Sequence, residues 1–167
     1  MKKIIELVNL PDVKTIFDLF DKDQGIYLVG GCIRDKISGK KVDDIDFAVD
    51  IEPQEIVQIL SNKNIEFYDI GIKYGTVTAI VNSKKYEITS FRKDVETDGR
   101  HAKVAYTKDI KADSLRRDFT INALYVNRKG EIFDFHDGLK DLENKELRFI
   151  GNAEDRVKED YLRILRY

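Results

Sequence analysis

The stretch that decides the fold is residues 27–50, YLVGGCIRDKISGKKVDDIDFAVD. A short apolar run, Ile26–Val29, stops at Gly30-Gly31. Arg34 and Asp35 then fall in the first turn of an expected helix, with Ile33 and Ile37 inward and Gly39 closing it. Asp44 and Asp46 flank Ile45 where a second apolar run, to Asp50, begins. On a strand, residues i and i+2 share a face, so the two aspartates are expected to project together while Ile45 turns into the core. Neighbouring carboxylates repel, and a divalent cation relieves that repulsion. Hard oxygen donors suit magnesium, which also takes phosphate oxygens as ligands. A glycine pair leading into a helix lets backbone N–H groups approach a phosphate. Singly, neither signal is specific. Acidic pairs also occur on solvated strand edges, and Gly-Gly precedes many helices.

The rest of the composition bounds the partners. The chain has 167 residues, enough for one domain with a sizeable core. Charged residues make up 36%, yet the net charge is −2, so any RNA-binding surface must be local or lie outside this chain. The single cysteine, Cys32, excludes an intramolecular disulfide and a cysteine-rich zinc site, and reads as a small buried residue behind the glycine turn. His101 and His136 are too far apart in sequence to suggest a metal cluster. The first ten residues, MKKIIELVNL, lack the apolar core of a signal peptide, and no apolar stretch is long enough to span a membrane. A reducing, cytoplasmic setting without membrane contact is expected.

Along the chain, Pro11-Asp12 opens an amphipathic helix with Val13, Ile16, Phe17 and Phe20 on one face. Pro53 starts another, with a stripe of Ile56, Val57, Ile59 and Leu60. Strands are expected at Ile65–Ile70, Thr76–Val81 and Lys85–Phe91, the last two joined by an Asn82-Ser83 turn. Residues from Asp94 to Ala112 read as a long polar loop. Arg116–Val126 reads as a helix passing into a strand, with Glu131–Phe135 returning after Gly130. A short helix is expected at Gly138–Asn144, and one continuous helix from Ala153 to Tyr167.

VGGCIRD, DDIDFAVD, YEITSFRKD, TDGRHA, RRDFTINAL, DFHDGLKDL, LRFIG and EDYLRILRY follow one another in that order. Together they resemble the class II tRNA nucleotidyltransferases, the CCA-adding enzymes, whose close relatives are the bacterial poly(A) polymerases. The wording of TDGRHA and EDYLRILRY is most similar to the mitochondrial and alpha-proteobacterial branch. The resemblance covers about Tyr27 to Tyr167. It implies an α/β (α+β) fold, a head of the DNA-polymerase-beta-like nucleotidyltransferase type with a mixed β-sheet backed by helices. Residues 1–151 would be the catalytic head and 152–167 the first neck helix. The remaining neck, body and tail, which hold most of the tRNA in relatives, would be absent or supplied by a separate chain.

The implied reaction is attack of a tRNA 3′ hydroxyl on the α-phosphate of CTP or ATP, with two Mg2+ ions at the site. By match to the family, Asp44 and Asp46 are metal ligands, and Glu87 is a third catalytic carboxylate whose alternative is an exposed strand residue. Gly30, Gly31 and Arg34 would hold phosphates, although Arg34 also has Asp35 or Asp46 as structural partners. Arg117, Asp118 and Asn122 match nucleotide contacts. Asp160 and Arg163, at i and i+3 on the expected last helix, would read the base edge, with Arg166 as a further nucleotide contact. Their plain alternative is a surface salt bridge. Asp98, Gly99, Arg100 and His101 match a flexible loop. Poly(A) synthesis, partial CC- or A-addition, and a non-catalytic nucleotide-binding module are the competing readings.

Overall fold

A computed structural model describes residues 2–97 and 102–166, of which 94–97 and 102–104 are described for their backbone only. Its centre is a seven-stranded mixed sheet. The strands are β1 (Ile26–Val29), β2 (Asp46–Val49), β3 (Glu66–Tyr68), β4 (Thr76–Val81), β5 (Lys84–Ser90), β8 (Leu124–Asn127) and β9 (Ile132–Asp134). They run in the order β3-β4-β5-β2-β1-β8-β9. Only β2 and β5 pair in parallel; the other neighbours are antiparallel.

Four helices cover one face: α1 (Lys2–Val8), α2 (Pro11–Leu19), α3 (Gly31–Ile37) and α4 (Pro53–Asn62). Their apolar stripes meet Leu28, Phe47, Val77, Ile88, Leu124 and Val126 in the main core. Because strand side chains alternate, the intervening residues Val29, Ala48, Phe91 and Tyr125 form a smaller cluster on the other face, where Asp46 and Glu87 also lie. On that face Ile110 packs against the smaller cluster beside Tyr125, while Asp46 and Glu87 line a cleft.

Several expected elements appear as read. β1 and β4 have the expected bounds, and Asn82 and Ser83 both take positive φ (50° and 62°), as a tight hairpin turn requires. Four expectations are corrected. α1 was not anticipated, although Ile4, Leu7 and Val8 carry the helical spacing and are buried. The polar stretch read as a loop contains a separate hairpin, β6 (Arg92–Thr97) with β7 (Ala102–Tyr106), and then α5 (Ile110–Leu115). It packs outside the main sheet, so its sequence lacks the alternation a half-buried strand shows. The helix expected to start at Arg116 ends there instead: α5 precedes it, and a 3-10 turn at Thr120–Asn122 leads into β8. α6 (Gly138–Asn144) follows as expected.

The last correction concerns the C-terminal helix. It divides into α7 (Ala153–Glu159) and α8 (Arg163–Arg166), with Asp160 extended between them at φ −154° and ψ 103°. Asp160 accepts a hydrogen bond from the Leu162 backbone N–H at 3.0 Å, the local bond by which aspartate competes with a continuing helix. Tyr161, Leu162, Ile164 and Leu165 are all more than half exposed, so no burial holds that stretch in one long helix. Among the described residues, no helix is long and apolar enough to cross a membrane.

Candidate active site

Asp46 opens β2, and its register partner on parallel β5 is Glu87, so the two carboxylates stand side by side at the middle of the sheet. Asp44 lies before the strand, not on it, so the i, i+2 strand argument does not place it. It nevertheless lines the same cleft of about 530 Å³ as Ile45, Asp46, Tyr68, Ile70, Thr78, Lys85 and Glu87. Ile45 packs against the main core, as expected.

Burial pushes the Asp46 carboxyl up to about 6, and the Glu87 carboxylate adds to the effect more than Asp44 does; the Arg117 guanidinium pulls in the other direction. Among the described residues, no three His, Cys, Asp or Glu side chains form a ready-made metal cluster. The donor chemistry still fits a hard divalent cation, because three carboxylates line one cleft and their mutual repulsion is what a cation relieves.

Beside the carboxylates, β1 ends at Gly30, whose φ of 79° and ψ of −133° suit glycine alone. A Cβ there would lie 3.6 Å from the Asn122 carbonyl oxygen and 3.9 Å from Arg117 Nη1. Gly31 begins α3. Cys32, directly behind, donates to the Val29 carbonyl, and burial pushes its thiol up to about 12, so it is inert packing as expected.

Arg34 takes the structural partner that the sequence left open. Its Nε and Nη2 donate to both Asp35 oxygens at 2.9 and 3.0 Å, and its Nη1 donates to Asn122 Oδ1 at 2.7 Å. Asn122 in turn donates to Asp118 Oδ1 at 3.2 Å. Asp118 Oδ2 meets Arg166 at 3.3 Å, and Arg166 meets Asp160 at 2.9 Å. One polar chain therefore joins six residues, from Asp35 beside the glycine turn to Asp160 at the C-terminal helices.

Arg117 belongs to a different assembly, centred on a residue the sequence reading missed. Asp113 on α5 is fully buried. Its carboxylate accepts from Arg117 Nη2 (3.1 Å), Arg116 Nε (2.8 Å), the Tyr125 hydroxyl (2.7 Å) and the Arg92 backbone N–H (3.1 Å). Burial alone would push the Asp113 carboxyl up, but Arg117 and Arg116 outweigh it and hold it below the usual carboxylate range. Tyr125 also accepts from Arg117 Nε at 2.7 Å. Among the described residues, Arg117 Nη1 makes no hydrogen bond and is left to face the glycine turn. Arg116 is thus an anchor and not a surface charge. The signal was its spacing: Asp113 stands three and four residues before two arginines.

The side chains of Asp160 and Arg163 do not meet, although the Arg163 backbone N–H donates to the Asp160 carbonyl at 3.1 Å. Arg163 is only 8% exposed; it donates to Glu159 (2.8 Å), the Arg156 carbonyl (2.8 Å) and the Arg116 carbonyl (3.3 Å). The expected flexible-loop residues, Asp98, Gly99, Arg100 and His101, lie outside the described residues.

The family model of the poly A polymerase head domain matches residues 26–148, from the first strand through the carboxylates, the glycine turn and the Asp113 cluster. The chain belongs to that family. This head domain is 43% identical over 157 residues to human mitochondrial CCA tRNA nucleotidyltransferase 1, covering 93% of this chain and 36% of the human protein. A CCA-adding enzyme of Lactobacillus delbrueckii subsp. bulgaricus is 43% identical over 142 residues, covering 84% of this chain and 35% of that enzyme. In three dimensions the head domain is similar to the Bacillus stearothermophilus CCA-adding enzyme in complex with CTP. The TM-score is 0.81 at 30% identity, over 94% of this chain and 38% of the other. The chain spans about a third of the length of the curated relatives it matches.

Proposed function

We propose that this chain is the catalytic head of a template-independent tRNA nucleotidyltransferase that adds C and A to the tRNA 3′ end from CTP and ATP. One observation carries the reading: Asp46 and Glu87 stand side by side, with Asp44 in the same cleft and the Gly30-Gly31 turn and Arg117 next to them. Carboxylates suit a divalent cation, and backbone N–H groups with a guanidinium suit a triphosphate. The names of the curated relatives and the CTP complex of the Bacillus enzyme support the choice of substrates.

In this reading Asp44 and Asp46 would hold Mg2+, with Glu87 as a third carboxylate beside them; the ion would stabilise charge on the phosphate and lower the pKa of the attacking hydroxyl. Gly30, Gly31 and Arg117 Nη1 hold the phosphates in line with that hydroxyl. Arg34, fixed by Asp35 and Asn122, presents its remaining N–H groups to the same phosphates. The α-phosphorus forms a bond to the RNA 3′ oxygen, whose hydroxyl proton passes to water, and loses its bond to pyrophosphate. Asp118 and Asn122 connect this cradle to Arg166. Asp160 accepts from the exocyclic amino group that cytosine and adenine share. For Arg163 to donate to a base, it must exchange its Glu159 and Arg116 partners. Residues 1–151 would form the head and 152–167 the start of a neck. The remaining tRNA contacts would come from outside these residues, in a cytoplasmic setting.

Calorimetric titration with CTP, ATP, UTP and GTP in Mg2+ tests this. CTP and ATP should bind weakly and the others more weakly still; absence of any CTP or ATP binding removes the reading. A second reading, poly(A) synthesis, has the description of the family model in its favour. Primer extension with each nucleotide separately, on tRNAs lacking one, two or three terminal nucleotides, separates the two: CTP incorporation excludes poly(A) synthesis.

A further inference from the structure

We infer that the Tyr68–Lys85 wall of the cleft seats the terminal nucleotide of the RNA strand that receives the transfer. This rests on the nucleotidyl-transfer reading, in which phosphates occupy the glycine-turn side. Directly opposed residues on neighbouring strands share a face of the sheet. The register therefore lays out a single row: Tyr68 opposite Thr78, Thr78 opposite Glu87, Glu87 opposite Asp46, Asp46 opposite Val29, and Val29 opposite Tyr125. The carboxylates lie in the middle. At the Tyr125 end, Arg117 and the glycine turn make a phosphate cradle. At the other end stands Tyr68, three strand spacings from Asp46, or about 14 Å.

A triphosphate and a hydroxyl that react at the carboxylates must reach them from different sides. With the cradle over β1, the hydroxyl substrate is left to enter over β4 and β3. The residues there have no evident task in folding: Tyr68 is 45% exposed and Ile70 is 84% exposed. Lys85, on the same face as Glu87 and two residues before it, places its Nζ 5.7 Å from the centre of the Tyr68 ring. An exposed ring on which any base stacks, with a cation beside it for a backbone phosphate, is the chemistry of a single-strand seat that does not read sequence. It also supplies a local basic contact in a chain whose net charge is −2.

Fluorescence anisotropy with a labelled single-stranded RNA ending in CC, alongside CTP calorimetry, tests the inference. Tyr68→Ala should weaken RNA binding about tenfold, and Tyr68→Phe should restore it, since stacking needs the ring alone. Lys85→Gln should weaken it about threefold and flatten its salt dependence by about one unit. CTP affinity should be unchanged in all three. RNA affinity unaffected by Tyr68→Ala, or an intact chain with no measurable RNA affinity, overturns the inference. An intact chain that binds RNA through Tyr68 but binds no nucleotide sustains the seat and sinks the transfer reading instead.

Discussion

Asp46 and Asp160 are both assigned to the same candidate site, yet the chain holds them by opposite means. Asp46 opens a strand flanked by β1 and β5, and its neighbours Phe47, Ala48 and Val49 are fully buried. A one-residue slip would turn Phe47 and Val49 out of the main core and Ala48 into it, so the position of Asp46 is fixed by core packing. Asp160 lies between two short helices beside Tyr161, Leu162, Ile164 and Leu165, all more than half exposed, and its ion-pair partner Arg166 is half exposed. The contrast teaches that the proposed chemistry is held by the sheet, whereas Asp160, assigned to base choice, stands where no core packing fixes it.

The largest expected effect breaks the sheet side of that contrast. Asp46→Asn should remove the Mg2+ dependence of CTP binding and lower nucleotide transfer about 1,000-fold, the loss of several kcal/mol of charge stabilisation. Its effect on folding should have the reverse sign. In the folded chain the Asp46 carboxyl is raised from 3.8 to about 6, so the folded state holds that proton more tightly than the unfolded state. Stability from this group is present below about pH 4 and is lost as pH rises through about 6. Above that, the charged carboxylate opposes folding by at most about 3 kcal/mol, and asparagine relieves part of it. Urea denaturation at pH 7.5 should show a variant at least as stable as the parent. A clear loss of stability would mean that Asp46 is a structural residue.

Asp113→Ala comes next. It leaves Arg116 and Arg117, about 15% exposed, without their shared buried carboxylate, and should cost about 3 kcal/mol in urea denaturation. CTP binding should fall with it, because Arg117 loses the partner that aims it. A cost below 1 kcal/mol would show that Arg117 is held by Tyr125 alone.

The strand half of the site was legible for a physical reason. A period of two survives in IDFAVD and in KKYEITS, so Asp46 could be set on the opposite face from Ile45 and Glu87 from Tyr86 and Ile88, while the catalytic role of Glu87 came from the family resemblance. The glycine turn was legible because a positive φ at Gly30 leaves few alternatives. What stayed hidden depended on contacts across the chain. Asp113 looks like any polar helix residue until β8 brings Tyr125 beneath it. Asp44 shares the cleft without sharing the strand. The break at Asp160 was missed because Val157, Leu162 and Leu165 keep helical spacing; a spacing pattern predicts a helix only where something buries its stripe.

The smallest expected effects sharpen the comparison most, because they separate two residues that the sequence treated as a pair. Arg163 is buried with three protein acceptors, so Arg163→Ala should cost about 1–2 kcal/mol of stability by thermal or urea denaturation. Asp160→Ala removes an exposed contact to Arg166 and should cost less than about 1 kcal/mol. Nucleotide choice should follow the opposite order in the unperturbed fold. Asp160→Ala should reduce the preference for CTP and ATP over UTP and GTP while leaving the melting curve near that of the parent. If Arg163→Ala melts like the parent and Asp160→Ala leaves nucleotide preference intact, the two helices have no separate duties, and base choice must be sought at the other end of the polar chain, near Asn122 and Arg34.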